Sequence, residues 1–395
     1  MQGTAETLET AESRVASTAL RAVSLRDFRN FERLELTVPE AGVMIVGPNG
    51  SGKSNLLEAI YYLEIFRSFR GARDRELPRF GRDVFRVEAT VERGRDALDL
   101  AVAWRKSTRT KKVEVDGHEA ERLSDALGSL GAVVFSLDDS ELIWGSPSTR
   151  RRFLDILLSL VEPGYVGALQ RYRAVLSQRN EALREGKLAV VRAWGDGLVE
   201  PGAAVMAARQ QWTLEHDAAF GRYHAAIADG AEARLAYSST LGPVEPPEDG
   251  DEAEWGARYR EALAANEDSD RERGMTQVGP HRDDLVIRAV VDGGDERRDL
   301  RSYGSGGQRR TAAIALRLCE ADTLGERSGR DPVYLLDDVF AELDRERSGR
   351  VLELLEEGRS GQVVLAAPKP VDLPLRGGSL ARWRLYDGKI ETDEG

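Results

Sequence analysis

Cysteine is nearly absent from this 395-residue sequence, where Cys319 stands alone. One thiol forms no intrachain disulfide and supplies no thiolate cluster for zinc or iron–sulfur, so both are excluded and a reducing, cytoplasmic setting is expected. Histidine is scarce as well, and the four at positions 118, 216, 224 and 281 lack metal-ligand spacing. No apolar run approaches the roughly 20 residues a bilayer span requires; the longest candidates lie near 43–46 and 154–161 and read as buried core. A basic start followed by an apolar stretch, the mark of a secretion signal, is missing too. Only seven lysines accompany 49 arginines. Genome composition explains that ratio, and it makes Lys53 conspicuous.

What is present suits a folded chain of about two to three domains, since 41% of residues are hydrophobic. The net charge of −12 argues against attraction to nucleic acid over the whole surface, but leaves room for a local basic face. Residues 1–19 are polar and aperiodic, and read as a mobile leader. Alternation at Val23, Leu25, Leu34, Leu36 and Val38 predicts two strands joined near Asn30, and further alternation between residues 87 and 115 predicts an antiparallel meander ending at the turn pair Asp116-Gly117. Beyond Arg150 the apolar period becomes helical. Strand character returns at 284–291, 333–336 and 362–366, with helices at 306–324 and 344–356. The expected organisation is a discontinuous α/β domain in two parts, 20–149 and 276–395, interrupted by a mainly helical lobe at 150–275 that carries an acidic loop near 243–254.

Gly47-Pro48-Asn49-Gly50-Ser51-Gly52-Lys53-Ser54 matches the phosphate-loop pattern and lies between a short apolar strand and a predicted amphipathic helix carrying Leu56, Leu57 and Ile60. Glycines let backbone N–H groups turn toward phosphate oxygens, and the helix N-terminus adds partial positive charge. Lys53 is placed to reach the β and γ phosphates of ATP, and the Ser54 hydroxyl to ligate Mg2+. An ordinary glycine-rich turn is the competing reading, which the strand–loop–helix context disfavours.

An apolar strand at 333–336 ends in Asp337-Asp338. Burying two carboxylates is costly without a purpose. Beside a phosphate site, Asp337 can hold the magnesium shell and Asp338 can orient or deprotonate the attacking water. Ser305, Gly307 and Gln308 open a helix about 30 residues earlier, in a pattern matching the signature of ATP-binding-cassette heads; there such a helix start presses on the γ-phosphate held by the opposite subunit. Arg105, Lys106, Arg109, Lys111 and Lys112 crowd one hairpin, and Arg150-Arg151-Arg152 opens the helical lobe. Either group could neutralise DNA phosphates, or form a solvated face. His281 has no Ser or Cys nucleophile evident beside it, so a structural or DNA-facing role is favoured.

Together these residues resemble the RecF family of DNA replication and repair proteins, relatives of SMC and Rad50 heads. Phe28-Arg29-Asn30-Phe31, the phosphate loop with its continuation through Tyr61, and Arg67-Ser68-Phe69-Arg70 follow the family's order. So do Gly145-Ser146-Pro147, residues 151–155, Gly279-Pro280-His281-Arg282-Asp283-Asp284, the signature, Asp337-Asp338 and Glu342-Leu343-Asp344. The resemblance spans about residues 20–390. It implies a P-loop ABC-type ATPase head with a helical lobe replacing a long coiled coil. It also implies ATP-dependent dimerisation, slow hydrolysis, binding to gapped or junction DNA, and work with RecO and RecR to place RecA, without a membrane. Another SMC-like scaffold head or a transport head is the alternative. Three positions depart from the family's pattern: Ser54 stands where threonine is common, Gly306 where glutamine is frequent, and Ala366-Ala367-Pro368 where cassette relatives carry a polar switch residue.

Overall fold

The computed structural model describes residues 16–241, 252–291, 296–341, 343–356, 361–369 and 380–392. Its central sheet contains β3 (Gly42–Val46), β8 (Ala132–Ser136), β13 (Val333–Asp337), β14 (Val363–Ala367), β15 (Ala381–Tyr386) and β16 (Lys389–Thr392), in the order β16-β15-β3-β14-β13-β8. All neighbours pair in parallel except β15 with β16. The strands read as continuous apolar runs because both faces are covered. Val43, Ile45, Val134, Leu335 and Val364 face one side; Met44, Val133, Phe135, Leu336 and Leu365 face the other.

The first side packs on α1 (Lys53–Ile65), and beyond α1 lies a second sheet. This is a largely antiparallel array of β1 (Ala16–Phe28), β2 (Phe31–Thr37), β4 (Val84–Arg93), β5 (Asp96–Arg105), β6 (Thr110–Val115) and β7 (His118–Glu119), with β12 (Arg330–Asp331) added in parallel at the β1 edge. Asp116 and Gly117 take φ values of 49° and 75°, as the predicted hairpin turn demands. Lying between two sheets, α1 is buried at 11 of its 13 residues. The amphipathic pattern expected for it therefore does not hold, because a helix covered all round needs no polar face.

Against the opposite side of the central sheet pack α9 (Gly306–Ser328) and α10 (Arg345–Glu356). Next to them stands a helical layer of α3 (Pro147–Val161), preceded by the one-turn α2 (Glu141–Trp144), α4 (Tyr165–Arg184) and the 40-residue α5 (Leu188–Ile227), joined by α6 (Glu252–Ala265) and α7 (Glu267–Arg273); the one-turn α8 (Leu300–Tyr303) leads into α9. This region is not purely helical. β9 (Ala233–Ser238) pairs antiparallel with β10 (Asp284–Val290), and β10 with β11 (Arg297–Asp299), so a small sheet joins residues on both sides of the boundary expected at 275. Residues 16–19, expected in the leader, belong to β1, where Ser17 pairs with Asp331; the rest of the leader lies outside the described residues. Most of the acidic loop does too, whereas Glu252 already begins α6.

Candidate nucleotide site

The loop after β3 needs glycine for two physical reasons. Gly50 and Gly52 sit at φ 83° and 111°, which side chains with a Cβ rarely adopt. Gly47 and Gly52 also face close neighbours: a Cβ on Gly47 would lie 2.3 Å from the Leu385 carbonyl oxygen, and one on Gly52 would lie 2.4 Å from Asn30 Nδ2. Lys53 is buried, and its Nζ donates to the carbonyls of Gly47 (2.8 Å) and Pro48 (3.3 Å), so the loop wraps its own lysine. Ser51 and Gly52 are buried as well, whereas Asn49 and Gly50 are exposed.

Parallel pairing of β3, β14 and β13 brings both predicted halves to one edge of the sheet. The Ser54 hydroxyl donates to Asp337 Oδ1 at 2.8 Å. Burial pushes the Asp337 carboxyl up to about 6, Ser54 partly offsets this, and the neighbouring Asp338 charge adds to it. Asp338 occupies the left-handed region at φ 50° and donates its N–H to the Ala366 carbonyl at 3.1 Å. Its Oδ1 is buried without a hydrogen-bond partner, and desolvation raises this carboxyl too. Ala366 and Ala367 are buried in β14; what Ala366 supplies is this backbone acceptor.

A second ring of polar residues, from the segments 28–31, 55–61 and 67–70, borders the loop. Asn30 donates to the Ser51 carbonyl at 3.1 Å and accepts from Asn55 at 2.8 Å; Asn55 in turn accepts from Arg70 at 3.0 Å. The ring rests on Glu58, fully buried, which takes both arms of Arg29 at 2.8 Å and the hydroxyl of Ser68. Arg70 also favours the charged form of Asp337, which places its guanidinium in the field of the site. The sequence signal was available: the buried pair Phe28 and Phe31 pins the two polar residues between them, with Arg29 at φ 53°.

Ser305 and Gln308 form a reciprocal cap on α9, with Ser305 N donating to Gln308 Oε1 at 2.8 Å and Gln308 N to Ser305 Oγ at 3.3 Å. Ser305 is exposed, and Gly307 faces Arg347 closely enough that a Cβ would come within 2.8 Å of its Nη1. α1, which follows the phosphate loop, and α9, which follows the signature, cover opposite faces of the central sheet.

The basic hairpin divides. Lys106 and Arg109 are exposed and unpaired among the described residues, Arg105 stands 3.9 Å from Asp83, and Lys112 pairs with Glu119 at 2.9 Å. Lys111 corrects the expectation of a phosphate contact: its side chain is 13% exposed, pairs with Asp74 at 3.0 Å, bonds the Phe66 carbonyl and lies over the Tyr62 ring. Alternation turns it inward from the solvent-facing neighbours. Arg150, on the helix α3, is corrected as well, being 3% exposed and held by Asp284 at 2.7 Å. His281 is structural. Its Nε2 faces the Thr276 carbonyl and so carries the proton, its Nδ1 accepts from Tyr172, and burial pulls its pKa down to about 4.

A strand-flanked phosphate loop, a carboxylate-ended neighbour strand, a capped signature helix on the opposite face and an added antiparallel sheet define the head of an ABC-type P-loop ATPase. Known proteins agree. Residues 19–371 match the RecF/RecN/SMC N-terminal domain family. The DNA replication and repair protein RecF of Bacillus subtilis is 35% identical over 344 residues, covering 85% of this chain and 90% of the relative. Its counterpart in Synechococcus sp. (strain JA-3-3Ab) is 36% identical over 345 residues, covering 86% and 88%. The solved structure of the recombination mediator protein RecF–ATPrS in the RecFOR pathway superposes with a TM-score of 0.85 at 29% identity, covering 96% of this chain and all of that one. The Smc head of Pyrococcus furiosus shares the fold, with a TM-score of 0.56 at 18% identity over 95% and 96% of the two chains. The chain belongs to the RecF family of DNA replication and repair proteins. Among the described residues no helix is long and apolar enough to cross a membrane.

Proposed function

We propose that this chain is a slow ATPase of recombinational repair that dimerises on ATP, binds gapped or junction DNA, and works with RecO and RecR to load RecA. The observation that carries the nucleotide reading is the Ser54–Asp337 hydrogen bond, which joins the two predicted half-sites 283 residues apart. The site also fits a magnesium nucleotide: the loop is a cradle that a Cβ would fill, and Asp338 Oδ1 is a buried acceptor without a donor. RecF relatives have been solved with ATP and ATPrS.

In this reading Lys53 exchanges the carbonyls of Gly47 and Pro48 for β- and γ-phosphate oxygens, and the loop N–H groups hold the rest. Ser54 and Asp337 would hold Mg2+, which when bound neutralises phosphate charge. Asp338 receives the proton of the attacking water as its oxygen bonds the γ-phosphorus, while the bond to the bridging oxygen breaks and ADP departs with the electron pair. The exposed Ser305 start of α9 completes the pocket of a second copy. Arg105, Lys106 and Arg109 contribute sequence-independent DNA affinity. Sedimentation and gapped-duplex binding with ATP, ADP and no nucleotide test this. ATP-specific dimers that bind DNA are expected, and a chain that stays monomeric with ATP refutes the dimer mechanism.

A further inference from the structure

Behind the basic start of α3 lies a cavity of about 260 Å3 with an unbalanced charge. Arg151, Arg152, Arg173 and Arg209 line it, and the one carboxylate on its wall is Asp155. Asp155 is fully committed, accepting from Arg209 (2.7 Å), Tyr165 (2.7 Å) and Arg173 (2.8 Å). The neighbouring acids are spent elsewhere: Asp283 on Tyr237 and Thr240, and Asp284 on Arg150. Arg151 donates to the Asp283 carbonyl oxygen at 2.7 Å and lies in the field of Asp284, Asp283 and Asp155, and Arg152 has no hydrogen-bond or ion-pair partner among the described residues. Arg209 is 2% exposed and anchored to the Pro280 carbonyl, so the floor is rigid. His281 closes one side as a neutral ring and adds no charge.

Four guanidinium groups line the cavity with a single carboxylate, Asp155, which Arg173 and Arg209 bond, and this excess of positive charge forms a site for a compact dianion or a chain of monoanions; planar forks suit tetrahedral phosphate oxygens. Arg152, Asp155 and Arg173 also border a wider cleft of about 890 Å3 that reaches Arg109 and Arg67. The two basic clusters, distant in sequence, thus open on one path between the meander and the helical layer. We infer that this cavity binds a phosphate group of nucleic acid, either a backbone diester or a 5′-terminal phosphate at a gap. The inference rests on the DNA-binding reading above and gives it a specific contact.

The test is anisotropy over a salt series with a gapped duplex carrying a 5′-phosphate or a 5′-hydroxyl at the gap. The parent chain is compared with Arg152→Glu, with the double substitution Arg151→Ala and Arg152→Ala, and with the charge-matched Arg222→Glu on an exposed site outside the cavity. Cavity variants are expected to raise Kd at least about tenfold and to flatten the salt slope by about one per lost cation, unlike Arg222→Glu. Loss confined to the 5′-phosphate duplex identifies the terminal group, and equal loss identifies the backbone. If the parent binds and the cavity variants bind equally well, the inference is overturned while the DNA reading survives. If the parent binds neither duplex, that reading fails and inorganic phosphate decides: a rise in thermal midpoint that Arg152→Glu removes supports an anion site, and no rise overturns it.

Discussion

The Ser54 hydroxyl donates to Asp337 Oδ1 at 2.8 Å although 283 residues lie between them. That bond holds a carboxyl whose pKa burial lifts to about 6 from 3.8. A carboxyl with a raised folded pKa opposes folding once it is ionised, so the penalty grows as pH rises from about 4 to 6 and is complete at neutrality. Asp337→Asn keeps the acceptor and removes the charge. It should stabilise the nucleotide-free chain by about 2–3 kcal/mol at pH 7, with little effect at pH 4, while abolishing magnesium-dependent hydrolysis. Urea titrations at both pH values and a phosphate-release assay read the two effects.

Protons should compete with Mg2+ for the same carboxylate. The concentration of Mg2+ giving half-maximal hydrolysis is expected to climb about tenfold per pH unit below 6 and to stay flat above it. Magnesium titrations of the ATPase rate between pH 5 and 8 check this, and a flat dependence throughout would remove Asp337 from the metal site.

Asp338→Asn leaves the cradle intact and removes the proton acceptor. Turnover should fall by on the order of 10²–10⁴, with ATP affinity within about threefold of the parent. Single-turnover hydrolysis beside equilibrium binding separates these, and sedimentation should show a longer-lived ATP dimer.

Gly52→Ala pushes a Cβ against Asn30 at φ 111°. Relaxing either contact displaces the loop N–H groups, so ATP affinity is expected to drop at least about tenfold. Asn30→Ala in the same chain clears the space but not the dihedral strain, so rescue should be partial when measured by calorimetry.

Lys111→Ala should cost about 2 kcal/mol of stability, because Asp74 and the Phe66 carbonyl lose a shared donor. Salt dependence of DNA binding should not change in this variant, whereas reversal of Arg105, Lys106 and Arg109 together should flatten the slope by about 0.9 per neutralised phosphate. Denaturant melts and salt-series anisotropy distinguish the two outcomes.

The phosphate loop and the acid pair were legible because local covalent demands write them: glycine where φ is positive, an apolar run where a strand is covered twice. The meander was legible by its period of two. What escaped depended on neighbours remote in sequence. Burial of α1 on every side follows from a sheet formed largely after it in the chain. The fate of Lys111 hangs on Asp74 and Tyr62, which no periodicity links to it. Arg150 looked like its two basic neighbours until Asp284 took it, and Asn30 looked like a turn residue until Gly52 came against it.

The strand that launches the loop, β3, finds both hydrogen-bonding neighbours more than 300 residues later in the chain, at Val363–Ala367 and at Ala381–Tyr386. During translation, a ribosome therefore holds the nascent phosphate loop without its flanking strands until residues 363–386 have been made. The meander and the helical layer have their partners earlier and can settle first. Nucleotide competence thus waits on strands made more than 300 residues after the loop, and a product interrupted before them would present an orphan strand edge to chaperones instead of a working pocket.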